Sequence, residues 1–178
     1  MVILFSGSIV PALHIYHSDG SASSLWTSQH QIAGAVTRIA VRDNASFIGL
    51  FNRLITAGTR YDRIIIDTHG APGEISFGGP TFNDGWFRVQ RDLMGGNSFA
   101  TAGARILFSG CNVAEGAAGW SFLTEAARCF LVGVGGQATG WTSVGFASPF
   151  SGHVFHLTGN TRTVHVDGAG QVLRREGS

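Results

Sequence analysis

Apolar positions along this chain follow two periods, and the change between them marks the elements. Residues 37–42 alternate apolar and polar and predict a short strand. Asp43 and Asn44 then cap a helix in which Phe47, Ile48, Leu50, Phe51, Leu54 and Ile55 recur at helical spacing, and Gly58 ends it. Ile64, Ile65 and Ile66 form a continuous β-branched run between polar ends, the pattern of a central parallel strand covered on both faces. Residues 105–109 predict the next central strand. Residues 117–128 predict a helix with Trp120, Leu123, Ala126 and Ala127 on one face, and 130–134 a further buried strand. Residues 1–10 predict a buried strand, 11–31 a polar loop, 82–99 an irregular connection with a short helix near 87–93, and 138–151 a loop. Residues 153–157 and 163–166, joined through Thr158, Gly159 and Asn160, predict a C-terminal β-hairpin.

Strands that alternate with helices predict an α/β fold with a mostly parallel sheet, helices on both faces, and chemistry beyond the carboxyl ends of the strands. The length of 178 residues predicts one domain. Charged residues make up only 13%, and a net charge of +1 without a basic stripe gives no electrostatic case for nucleic acid. All 12 basic residues are arginine, which a GC-rich genome explains more simply than delivery into a host cytosol, where lysines invite ubiquitin attachment. No apolar stretch is long enough to span a bilayer, and the N-terminus lacks a basic region and a cleavage site. The expectation is a cytoplasmic protein, or one exported without a cleavable signal.

Two predicted central strands end in reactive residues. One runs into Thr68-His69-Gly70, the other into Ser109-Gly110-Cys111-Asn112. If the strands are parallel neighbours, His69 and Cys111 emerge on the same edge of the sheet. A free thiol, with a pKa of about 8.5, is mostly protonated at neutral pH, and a neighbouring imidazole takes its proton or stabilises the thiolate. The thiolate attacks a carbonyl carbon, and the developing oxyanion needs N–H donors, for which the amides of Gly70 and Cys111 are the natural candidates. Taken singly, a strand-end Cys is more often a small buried residue and a strand-end His more often a hydrogen-bonding one; their joint appearance beside glycine is much less common.

At these residues the chain resembles the caspase-like (clan CD) cysteine peptidases, and most of all bacterial CHAT-type domains and the caspase-like domain of large secreted bacterial adhesin-like proteins. The resemblance covers roughly residues 37–141 and rests on Ile64 to Gly73 and Ile106 to Gly119. Thr68 stands where the nearer relatives usually carry Ser. It implies a three-layer caspase-like sandwich, a dyad with His69 as base and Cys111 as nucleophile, and an oxyanion site at Gly70 and Cys111. A cysteine endopeptidase that acts on itself or on a fused or co-delivered protein follows, with a catalytically silent interaction domain as the alternative. Such enzymes can pair through a sheet edge, so a homodimer is a further hypothesis.

Other residues change this picture little. Asp67 shares a side with His69 by alternation and can orient it, although a strand-end carboxylate bonded to backbone or arginine is the favoured reading. Asp84 and Glu115 are candidates for a pocket that takes a basic side chain, against a plainer reading as solvated loop charges. Cys129 is expected in the core, at the start of a strand. His14, His17 and His30 fit no metal-ligand spacing and are expected as solvated loop histidines, and His153, His156 and His165 as surface or edge positions. No metal and no cofactor is expected.

Overall fold

The structure is a computed structural model that describes residues 12–18, 35–147, 154–156 and 160–178. Its centre is a seven-stranded sheet. Strands β1 (Ala12–His17), β2 (Val36–Val41), β3 (Tyr61–Asp67), β7 (Ala100–Phe108), β8 (Gly136–Trp141), β11 (Thr161–Val166) and β12 (Val172–Glu176) lie in the order β12-β11-β8-β7-β3-β1-β2. The five strands from β2 to β8 are parallel, and β11 and β12 are added antiparallel at one edge. This is a mixed α/β fold with a mostly parallel sheet flanked by helices.

Helix α1 (Asn44–Thr56) starts where Asp43 accepts a 2.7 Å bond from the Ser46 amide, and it buries Phe47, Leu50, Phe51 and Leu54. Helix α2 (Asp84–Met94) starts at Asn83, whose side chain accepts from the Trp86 amide, and stops at Gly95 in the left-handed conformation. Helix α3 (Gly116–Phe130) carries the most buried face. The three meet in one aromatic cluster: Phe51 lies 5.1 Å from Phe130 and 6.0 Å from Trp86, and Phe87 lies 5.4 Å from Phe122. Ile64, Ile66, Ile106 and Phe108 close it from the sheet side, all 1% exposed or less. Near edge-to-face rings supply dispersion and quadrupole complementarity beyond their buried area. All three helices therefore lie on one face. The expected helical layer on the other face has no counterpart among the described residues.

A second, three-stranded antiparallel sheet interrupts the passage from β3 to α2. It comprises β4 (His69–Ala71), β5 (Glu74–Ser76) and β6 (Phe82–Asn83). Phe77 fastens it to α1 by stacking on Phe47 at 4.7 Å. A two-stranded pair, β9 (Gly145–Ala147) with β10 (Val154–His156), completes the described elements.

Several expectations need correction. The segment read as a polar loop contains β1, a strand inside the sheet; Leu13 and Ile15 pack into the core while His14 points to the other face and is fully buried. Polar residues hid the alternation. Residues 130–134 are not a strand: α3 runs through Phe130, and Gly133, Gly135 and Gly136 take positive φ, so the strand starts only at Gly136 and runs to Trp141, into the start of the predicted loop. Cys129 is core, as expected, but within α3. The C-terminal hairpin joins β11 to β12 through a turn at Asp167, whereas β10 pairs with β9. The strand predicted for residues 1–10, together with His30, His153, Thr158 and Gly159, lies outside the described residues.

Candidate active site

The parallel strands deliver their carboxyl ends to one edge of the sheet. Strand β1 connects onward to β2 on one side, and β3 connects to β7 on the other, so the order reverses between β1 and β3. Ligands in open α/β sheets bind at such a reversal, beyond the strand ends. Three adjacent ends contribute residues here: His17 closes β1, His69 follows β3 and Cys111 follows β7.

The ends of β3 and β7 are in backbone contact. The register pairs Ile66 with Phe108, and the Ser109 amide donates to the Ile66 carbonyl at 2.9 Å. Beyond that bond the two glycines let the chains close. A Cβ on Gly70 would sit 2.7 Å from the Cys111 carbonyl oxygen and 3.0 Å from its nitrogen. One on Gly110 would sit 3.1 Å from the Gly70 Cα and 3.2 Å from the Thr68 oxygen. His69-Gly70 and Gly110-Cys111 are thus brought together by the absence of side chains at both positions.

The Cys111 segment is held on several sides. Asn112, a non-glycine residue with φ 55°, donates its amide to Ser143 at 3.1 Å, and the Ala114 amide donates to Trp141 at 2.9 Å. A left-handed non-glycine residue carries strain and persists only where its surroundings hold it. Arg162 on β11 supplies part of that hold. Its guanidinium donates to the Ala114 carbonyl at 3.0 Å and the Gly116 carbonyl at 2.6 Å, and lies over the Trp120 ring at 4.9 Å. Cys111 is half-buried and His69 exposed. Neither cysteine forms a disulfide, and burial pushes the Cys129 thiol far above its usual pKa.

His17 and His14 were the residues that sequence reasoning set aside. The His17 ring stands edge-on to His69 with centroids 5.4 Å apart, and edge-on to Phe77 at 5.9 Å. Its Nε2 donates to the Arg42 carbonyl at 3.2 Å. His14, on the sheet face opposite the aromatic core, pairs through Nε2 with the Asp67 carboxylate, and both are almost fully buried. Asp67 therefore meets a histidine of the neighbouring strand, where backbone or arginine was expected. The alternation argument that linked Asp67 to His69 does not carry through, because β3 ends at Asp67 and a new strand begins at His69. The alternation of Leu13 and Ile15 was the signal that would have placed both histidines on a strand.

Neither Asp84 nor Glu115 lines the pocket beside His69. Asp84 accepts a 2.7 Å bond from Ser121, which holds its carboxyl below the usual carboxylate range, and lies 3.6 Å from Arg88. Glu115 is exposed at the start of α3 and makes no capping bond with its side chain. His165, on β11, lies 3.3 Å from Glu176. Among the described residues no group of three or more His, Cys, Asp or Glu side chains is placed to hold a metal ion, and no helix is long and apolar enough to cross a membrane.

No curated protein and no solved structure matches the chain. A family model described as a domain of unknown function (DUF4347) matches residues 20–145, which include β3, β7 and the strand ends that carry His69 and Cys111. With well over half of its 178 residues matched, the chain belongs to the DUF4347 family.

Proposed function

We propose that this protein is a cysteine endopeptidase of the caspase-like kind, with Cys111 as nucleophile and His69 as general base. The observation that carries the reading is the backbone contact of Gly70 with Gly110 and Cys111 across adjacent parallel strand ends. It sets the imidazole-bearing and thiol-bearing residues side by side. In the reaction, the Cys111 Sγ attacks the scissile carbonyl carbon as its proton passes to His69. Negative charge builds on the carbonyl oxygen and is met by the amides of Gly70 and Cys111. The C–N bond breaks as His69 protonates the leaving amine. Water, deprotonated by His69, then attacks the thioester, and the product acid leaves with the thiol restored. His17 packs edge-on against His69 and limits its swing. The substrate is a peptide or protein, in cis or as a fused or co-delivered partner. Among the described residues β2 and β12 are the two edges of the sheet, where a second copy of the chain could add its own strand.

The test is cleavage of a diverse peptide library, read by mass spectrometry, for the native protein, Cys111→Ala and His69→Ala. Cuts made by the native protein and lost in both variants support the dyad. Cuts that survive Cys111→Ala refute it. No cuts from a folded native protein at any concentration favour the interaction domain instead.

A further inference from the structure

Six carboxylates among the described residues are buried or half-buried. Five have partners supplied by the fold. Asp43 accepts from Ser46, Asp67 pairs with His14, Asp84 accepts from Ser121, Glu125 meets Arg91 and Arg128, and Asp167 accepts from the Gln171 amide. Glu74 is the exception: its carboxylate has no hydrogen bond or ion pair to another described residue.

Its position is specific. In the small sheet His69 pairs with Ser76 and Ala71 with Glu74, antiparallel. Residues directly opposite, and residues two apart, share a face. His69, Ala71, Glu74 and Ser76 are therefore on one face, while Ile75 turns to the core at 1% exposure. These four residues, together with Gly70, Ile75 and Thr81, line an open pocket of about 140 Å³. A half-buried carboxylate has lost part of its water, and without a counter-ion in the fold that loss is uncompensated. The cavity has room for one side chain.

We propose that this cavity receives an arginine or lysine side chain of the substrate, with Glu74 as its counter-ion. The inference rests on the endopeptidase reading and names the substrate class of that site. Because His69 forms one wall, the bound side chain belongs to a residue next to the bond that Cys111 attacks. Glu74 takes the place expected for Asp84 and Glu115.

Two measurements test it. The first needs no turnover: benzamidine is titrated into the full chain while the His69 ring resonances are followed by NMR, with neutral benzamide as control. Saturable shifts with benzamidine alone, lost in Glu74→Gln, are expected. Absence of such shifts in the native protein, or their persistence in Glu74→Gln, overturns the cation site. The second compares peptides with arginine or neutral citrulline at each position flanking a cut. The expected preference for arginine in kcat/KM is about ten- to a hundredfold, the scale of a charge-assisted hydrogen bond, and falls to about one in Glu74→Gln. Equal cleavage of both peptides by the native enzyme overturns the substrate class and leaves the dyad standing. Benzamidine binding without any peptide cleavage supports the cation site and removes the endopeptidase reading.

Discussion

Replacing Gly70 by alanine isolates the close approach on which the candidate site depends. Gly70 does not have a positive φ, so alanine suffers no backbone penalty there. The whole effect is steric. The new Cβ meets two Cys111 backbone atoms, at 2.7 and 3.0 Å, and the Gly110 carbonyl carbon at 3.0 Å. Backbone cannot swing aside as a flexible side chain does, so the two strand ends must part by about 0.7 Å to restore ordinary contact. Overpacking of this kind costs about 1–3 kcal/mol. The stiffer unfolded chain returns about 0.4–1 kcal/mol. A net loss of about 1–2 kcal/mol is expected from the urea midpoint at constant m-value. On the proposed mechanism, displacing Cys111 from His69 by somewhat under 1 Å lowers kcat/KM on a cleaved peptide by about ten- to a hundredfold. Gly49→Ala is the control. It lies in α1, the Cβ meets only the Arg53 side chain at 3.5 Å, and it gains about 0.5–1 kcal/mol. If Gly70→Ala keeps both the stability and the activity of the native protein, the strand ends are not in the contact described, and the argument for the dyad loses its main support.

Other substitutions test the scaffold. His14→Ala removes the buried His14–Asp67 pair and costs about 3–5 kcal/mol in the same urea assay, whereas loss of a surface pair would cost under about 1. Arg162→Ala removes the bonds to the Ala114 and Gly116 carbonyls, a third to Ser178 and the contact with Trp120; faster hydrogen exchange at Ala114 and Asn112 is expected, and Arg162→Lys does not restore it, because one ammonium cannot match the planar fork. Iodoacetamide at neutral pH adds to the folded protein once, at Cys111; Cys129 reacts only on unfolding, since its burial disfavours the thiolate, and early double labelling by intact mass would contradict this. The Ser121 bond lowers the Asp84 pKa, so its contribution to stability is present above the usual carboxylate value and is lost as pH falls through the acid range. Ser121→Ala therefore narrows the stability difference between pH 7 and pH 3, by a small amount because Asp84 is partly exposed and screened.

How much was legible without the structure depends on where each element finds its partners. The α/β class, helix α1 with its Asp43 cap, the isoleucine strand and the helix after Cys111 were readable because their apolar period and caps are local. The pairing of His69-Gly70 with Gly110-Cys111 was an inference from two similar strand ends, and it became a contact only through the parallel register of β3 and β7. What local pattern misjudged shares a physical cause. His14 reads as polar, yet Asp67 on the next strand pairs with its Nε2, and β1 lies inside the sheet rather than in a loop. The glycines after α3 look like pauses in a buried strand, but their positive φ ends one element and delays the next. Glu74 looks like any loop carboxylate until antiparallel pairing turns it to the same face as His69. Periodicity and capping act within one segment, and so sequence alone determined α1, the isoleucine strand, the helix after Cys111 and the places of His69 and Cys111 after two strand ends. Burial of a charge, register between strands and the approach of bare backbone require residues far apart in the chain, and only the tertiary structure decided them.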